Sequence, residues 1–157
     1  MEIQYKENGI LVNGEEILLN DIINKCNEAK IKSQNLVILK IEWQGGRGSD
    51  GQLEKRTYPK ETAEQIVDLI LNKEVNFGEI AGKHSEVYGT IDREDVEIIE
   101  GEQVEYFLKL NPTGVDYNYS FIDTLTEYYE DNGGREYWEE SQGEDYCDDI
   151  EELIKIS

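Results

Sequence analysis

The one histidine of the chain, His84, sits in the run Gly78-Glu79-Ile80-Ala81-Gly82-Lys83-His84-Ser85-Glu86, next to groups that could share a proton or a metal with it. Adjacent residues on an extended chain point to opposite faces, so His84 and Ser85 cannot easily meet as base and nucleophile. His84 and Glu86 could share a face and reach Asp92 or Asp95. Zinc sites, however, offer several His or Cys ligands at defined spacing, and one histidine with scattered carboxylates falls short of that. The run reads instead as a polar loop between strands, with Gly82 setting the turn.

Gly46-Arg47-Gly48-Ser49-Asp50-Gly51 matches the spacing GxGxxG after a strand-like segment. A dinucleotide fingerprint needs a helix opening at the third glycine, so that its N-terminus meets the pyrophosphate. Here the glycines run into the polar segment Gln52–Lys60, so residues 44–55 read as a loop. Asp131-Asn132-Gly133-Gly134 resembles the start of a calcium loop, but the third position is Gly133 and the twelfth Gln142, where oxygen ligands and a bidentate Glu are required. Cys26 and Cys147, the only cysteines, have no metal-like spacing and read as two reduced thiols. No catalytic motif stands, so the chain is expected not to be an enzyme and to need neither cofactor nor metal.

Charge is where the sequence speaks. The net charge is −21 over 157 residues, against a magnitude of about 2–8 that keeps a small domain soluble. Residues 1–60 hold nine basic and nine acidic groups, so residues 61–157 carry the whole excess. Thirteen carboxylates fall between Asp123 and Glu152, with only Arg135 among them. Asp123, Glu127, Glu130 and Asp131 come first, then Glu136, Glu139 and Glu140. Glu144, Asp145, Asp148, Asp149, Glu151 and Glu152 close the series. Tyr128, Tyr129, Tyr137 and Trp138 lie among them, as does Tyr146, with Tyr117 and Tyr119 just before. Interfaces favour Tyr and Trp anchors, and complementary charge steers association. Carboxylates spaced along helices can imitate the phosphate row of a duplex. The partner these residues imply is a basic protein, such as a nuclease or another nucleic-acid-handling protein. The chain's own field opposes direct binding to nucleic acid or to an anionic membrane.

The elements that must carry these groups follow from patterning. Strands at about 2–6, 10–12 and 15–19, joined by Asn8-Gly9 and Asn13-Gly14, predict a β-meander. A helix capped by Asn20 or Asp21 runs to about 32, with Ile22, Cys26 and Ala29 on one face. Asn35–Trp43 is the central-strand candidate. A helix over 60–73 buries Ala63, Ile66, Val67, Ile70 and Leu71. Strand-like runs follow at Phe77–Ile80, Val87–Ile91, Val96–Ile99 and Val104–Leu110. Ser120 with Asp123 opens a helix whose stripe is Phe121, Ile122, Leu125 and Tyr128, and Asn132-Gly133-Gly134 stops it. A last helix starts near Glu144, with Tyr146, Ile150, Leu153 and Ile154 inward. The expectation is a single α+β domain over 1–157, with an N-terminal β-meander and helix, a mostly antiparallel sheet and acidic C-terminal helices over 118–157. No basic leader and no run of roughly 20 apolar residues is present, so the expected location is the cytoplasm of a bacterium or a phage-infected cell.

In size, acidity and Tyr-rich acidic helices the chain resembles the small DNA-mimic inhibitors that phages and mobile elements use against restriction and CRISPR nucleases. The resemblance lies in composition over residues 61–157 and implies an acidic inhibitor that occupies a basic nucleic-acid groove. Bacterial toxin-immunity proteins are similar on the same grounds and imply tight binding to one toxin. A third reading, from another class, is a small enzyme or nucleotide-binding protein using the 44–51 loop and His84.

Overall fold

The computed structural model describes residues 2–45, 51–72, 87–88, 91 and 93–157. Two antiparallel sheets and six helices make up the described chain. The α+β expectation holds, down to the N-terminal meander and the helical C-terminus.

Strands β1 (Ile3–Lys6), β2 (Gly9–Val12) and β3 (Glu15–Leu18) form the meander, each antiparallel to the next. The second turn is the expected one: Asn13 and Gly14 both take positive φ, 50° and 83°, the backbone of a two-residue turn whose twist suits the strands. The first turn differs. Glu7 and Asn8 make it, and Gly9 already pairs with Leu18. A side chain at Gly9 would run into the Ile17 carbonyl, so close approach rather than turn geometry requires glycine there.

Helix α1 (Leu19–Gln34) follows β3 directly and ends at Asn35, in the left-handed conformation at φ 49°. It contains no buried residue. Its N-cap is Leu18, with no side-chain cap, rather than the expected Asn20 or Asp21; Ile22 is half-buried, and Cys26 and Ala29 are exposed. The helix leans on the domain through Ile31 instead.

Strands β4 (Leu36–Gly45) and β5 (Gly51–Pro59) form the long central hairpin. β5 overturns the expected loop over 44–55. Its residues alternate, with Glu54 and Tyr58 buried and Leu53 exposed, and cross-strand pairing to β4 outweighs the polar composition. Helix α2 (Lys60–Asn72) buries Ala63, Ile66, Leu69 and Ile70. Beyond β4 lie β6 (Val87–Tyr88), a 3₁₀ turn at Arg93–Asp95 and β7 (Val96–Ile99), both strands antiparallel to β4. The strand expected at Phe77–Ile80 lies outside the described residues, as does part of the one expected at Val87–Ile91.

Val104–Leu110 was expected as a strand and is helix α3 (Glu102–Leu110). Its buried residues, Val104, Phe107 and Leu108, keep the helical spacing i, i+3, i+4. Glu102 and Glu105 in the first turn and Lys109 in the last suit the helix dipole. The short β8 (Val115–Asp116) pairs with β5. Helices α4 (Phe121–Asp131), α5 (Gly134–Gln142) and α6 (Glu144–Ile156) complete the chain.

The central sheet has two covered faces. Val37, Leu39, Ile41, Trp43 and Tyr58 point into the larger core, with buried residues of α2, α4, α5 and α6. Leu36 and Ile38, on the other face, pack with Val104, Phe107 and Leu108 of α3. Among the described residues no helix is long and apolar enough to cross a membrane.

Candidate partner-binding surface

Three consecutive helices position the acidic series, and each turns its apolar residues inward. In α4 the buried set is Phe121, Ile122, Leu125 and Tyr129. Asp123, Glu127, Glu130 and Asp131 all fall on the exposed side. Ser120 caps this helix as expected: its Oγ accepts from the Asp123 N–H at 3.3 Å. In α5 only Trp138 is buried, while Glu136, Glu139 and Glu140 are exposed. Helix α6 buries Tyr146, Cys147, Ile150 and Leu153. Its other side exposes Glu144, Asp145, Asp148, Glu151 and Glu152, with Asp149 half-buried. The 3.6-residue period therefore sorts these helices into an apolar inside and a carboxylate-bearing outside.

Arg135 ties two of these helices together. From the start of α5 its guanidinium reaches Glu139 at 3.4 Å and, across on α6, Asp148 and Glu151. Its Nε also donates to both Glu151 oxygens, at 3.1 and 3.2 Å. The hydrogen bonds from Arg135 hold the Glu151 carboxyl below its usual range. The Tyr129 hydroxyl donates to the same carboxylate at 3.3 Å, and burial raises that hydroxyl's pKa. Three cations of the first sixty residues pair elsewhere: Lys40 with Glu42 and Glu97, Arg56 with Glu54, and Lys60 with Glu100.

The aromatic residues divide. Tyr129 and Trp138, expected as apolar anchors for a partner, are both buried at 6 % exposure, and that expectation is corrected. The Trp138 Nε1 donates to the Tyr129 carbonyl at 3.1 Å. Its ring meets Tyr137 edge-on at 4.9 Å and lies 6.0 and 6.1 Å from Tyr128 and Tyr146. These rings hold α4, α5 and α6 to one another. Tyr128 is half-buried, and Tyr137 keeps 45 % exposure beside Glu136, Glu139 and Glu140. Tyr119, which precedes α4, is 60 % exposed.

A carboxylate expected in a loop anchors the start of α4. Glu54, on β5, is 1 % exposed. Ser120 Oγ and the Phe121 N–H each donate to one of its oxygens at 2.8 Å, fastening the N-terminus of α4 to the sheet. Burial pushes its pKa up, and the two hydrogen bonds and the Arg56 guanidinium at 3.9 Å oppose that rise. Arg56 lies over the rings of Tyr58 and Tyr117, at 5.6 and 5.8 Å. Tyr58 is buried, which lifts its hydroxyl to about 12. Residue types carry no signal for Glu54: Glu54 and Tyr58 are buried while Leu53 on the opposite side is exposed, the reverse of the apolar-in, polar-out alternation that marks a strand.

Of the other candidates, His84, Glu86, Asp92 and residues 46–50 of the glycine-rich segment lie outside the described residues. Cys26 and Cys147 are free thiols, one exposed and one buried. No group of three or more His, Cys, Asp or Glu among the described residues is arranged to hold a metal ion. Comparisons with protein families, with curated proteins and with solved structures find no match to this chain.

Proposed function

We propose that this protein is an acidic inhibitor that binds a basic protein, probing its nucleic-acid groove with the outward carboxylates of α4, α5 and α6. The observation that carries the reading is the sorting of these helices, which buries their apolar residues together and leaves thirteen carboxylates between Asp123 and Glu152 with Arg135 as the only cation of that stretch. Residues at i, i+3 and i, i+4 on a helix have Cβ atoms about 5–6 Å apart, so their carboxylates can line up in a row. That spacing is of the same order as the ~3.4 Å per phosphate along one strand of a duplex. Tyr137 and Tyr119 supply exposed rings beside the charge; Tyr129 and Trp138 serve the fold.

The partner is sought by capture on the immobilised protein at low salt and elution by a salt gradient. Affinity is then measured against ionic strength, with a duplex oligonucleotide as competitor. Phosphate mimicry requires that binding weaken steeply as salt rises and that the duplex displace the protein. Replacing Glu136, Glu140 and Asp145 together by Lys, all of them exposed, should abolish capture while leaving the fold intact. Binding that ignores both salt and duplex would refute the proposal and favour a partner of the toxin-immunity kind.

A further inference from the structure

The N-terminal unit has apolar side chains that the other described residues leave exposed or only half-covered. In the meander, Ile3 pairs with Val12, Tyr5 with Ile10, and Ile10 with Ile17, so all five share one face of the sheet. None is buried, and Tyr5 is 86 % exposed. The first turns of α1 add Leu19 and Ile23, both exposed. The strand order β1-β2-β3 also leaves the outer edge of β1 without a partner strand among the described residues, and such an edge is a template for another chain.

We infer that the occupant is a second copy of this chain, with β1 pairing antiparallel to its counterpart across a two-fold axis to make one six-stranded sheet. Register argues for this. When Gln4 faces Gln4 of the other copy, Glu2 faces Lys6 and Ile3 faces Tyr5, giving opposite charges and an aromatic–β-branched pair at each end. The apolar faces of the two meanders then become continuous. A slip of one residue sets Glu2 against Glu7 and turns one apolar face to the wrong side. Charge argues for it too. Residues 2–34 hold four lysines against six carboxylates, a net −2 of the −21 total. Two copies repel through the remainder of their surfaces, and this unit is where they approach at least electrostatic cost. A strongly basic partner gains least here.

The inference stands independently of the inhibitor reading, because salt moves the two in opposite directions. Screening weakens attachment to a basic protein but relieves repulsion between identical acidic chains. Sedimentation or light scattering across a concentration series should show a mass rising towards twice the 18.1 kDa of one chain, with the dimer favoured at higher salt. Tyr5→Lys should hold the protein at the single-chain mass with an unchanged circular dichroism spectrum, since Tyr5 supports little of the fold. Directly opposed Cα atoms lie about 4.5–5.5 Å apart, inside the span of a disulfide. Gln4→Cys in a Cys26→Ser background should therefore cross-link two chains under mild oxidation, whereas Leu110→Cys in that background should not. A single-chain mass at every concentration overturns the proposal. A dimer that survives Tyr5→Lys, or that gives no cross-link at position 4, overturns it equally, because its interface is then another one.

Discussion

Glu54 accepts two hydrogen bonds at a site where an ionised carboxylate is poorly solvated, and its pH behaviour follows from that conflict. Burial raises its folded pKa above the unfolded value of 4.5. Its contribution to stability is therefore fully present below that value and declines as pH rises through the folded pKa. Glu54→Gln keeps an acceptor for the Phe121 N–H and reverses the other bond, its amide donating to Ser120 Oγ, so this variant should gain on the wild type as pH rises from acid to neutral. Glu54→Ala should lose about 1–3 kcal/mol, the cost of an unsatisfied buried donor. Urea unfolding of the three proteins at pH 4 and pH 7.5 checks both. Arg135 gives the opposite sign. Glu151 is held below its ordinary range, so the pairing stabilises above pH 4.5 and is lost as pH falls through the depressed value. Arg135→Gln should thus lower the melting temperature at neutral pH, by less as salt rises, and not at all in strong acid. Neither role was legible from residue types: Arg135 appeared only as the lone cation in an acidic run, and Glu54 as part of a polar segment.

At the level of elements, strong periodicity was readable and short or mixed segments were not. α2, α4 and α6 show apolar residues at helical spacing, and β4 is nearly continuous in β-branched and apolar residues; all four stand where the sequence put them. Val104–Leu110 was misread because Val-Glu-Tyr-Phe-Leu-Lys-Leu fits a two-residue alternation almost as well as a helical one, and tertiary packing of Val104, Phe107 and Leu108 decided the matter. Two of the four aromatic anchors expected in the acidic series, Tyr129 and Trp138, serve the core instead for a related reason. Composition shows that rings lie among the charges, but only packing shows which ones the helices consume. Two substitutions separate these roles. Trp138→Ala should cost about 3–5 kcal/mol of folding stability, as truncation of a buried Trp does. Tyr137→Ala should cost far less in denaturation and show its effect in partner capture.

For the whole molecule the dominant quantity is self-repulsion. A chain at −21 should be least stable at low ionic strength and should gain stability towards ~0.15 M salt, where the Debye length shrinks to ~8 Å. Thermal melts in a salt series read this directly, and a flat response would mean that the charges are compensated by contacts within the fold. The division of labour along the chain was visible beforehand: a near-neutral first third, then the acidic remainder. The way that division maps onto space required the structure: the central hairpin of β4 and β5 comes from the balanced first sixty residues, whereas β6, β7, β8 and the helices packed on one face of the sheet come from the acidic remainder.

The meander and α1 lack any buried side chain, whereas β4 places Leu36–Leu39 and Ile41 almost wholly out of water. Opening of the first thirty-odd residues consequently costs far less than opening the centre. In an isolated chain their amides should trade protons for deuterons early, while those of β4 wait for global unfolding. Protection that appears in β1 only as protein concentration is raised would record the moment that strand ceases to be an edge.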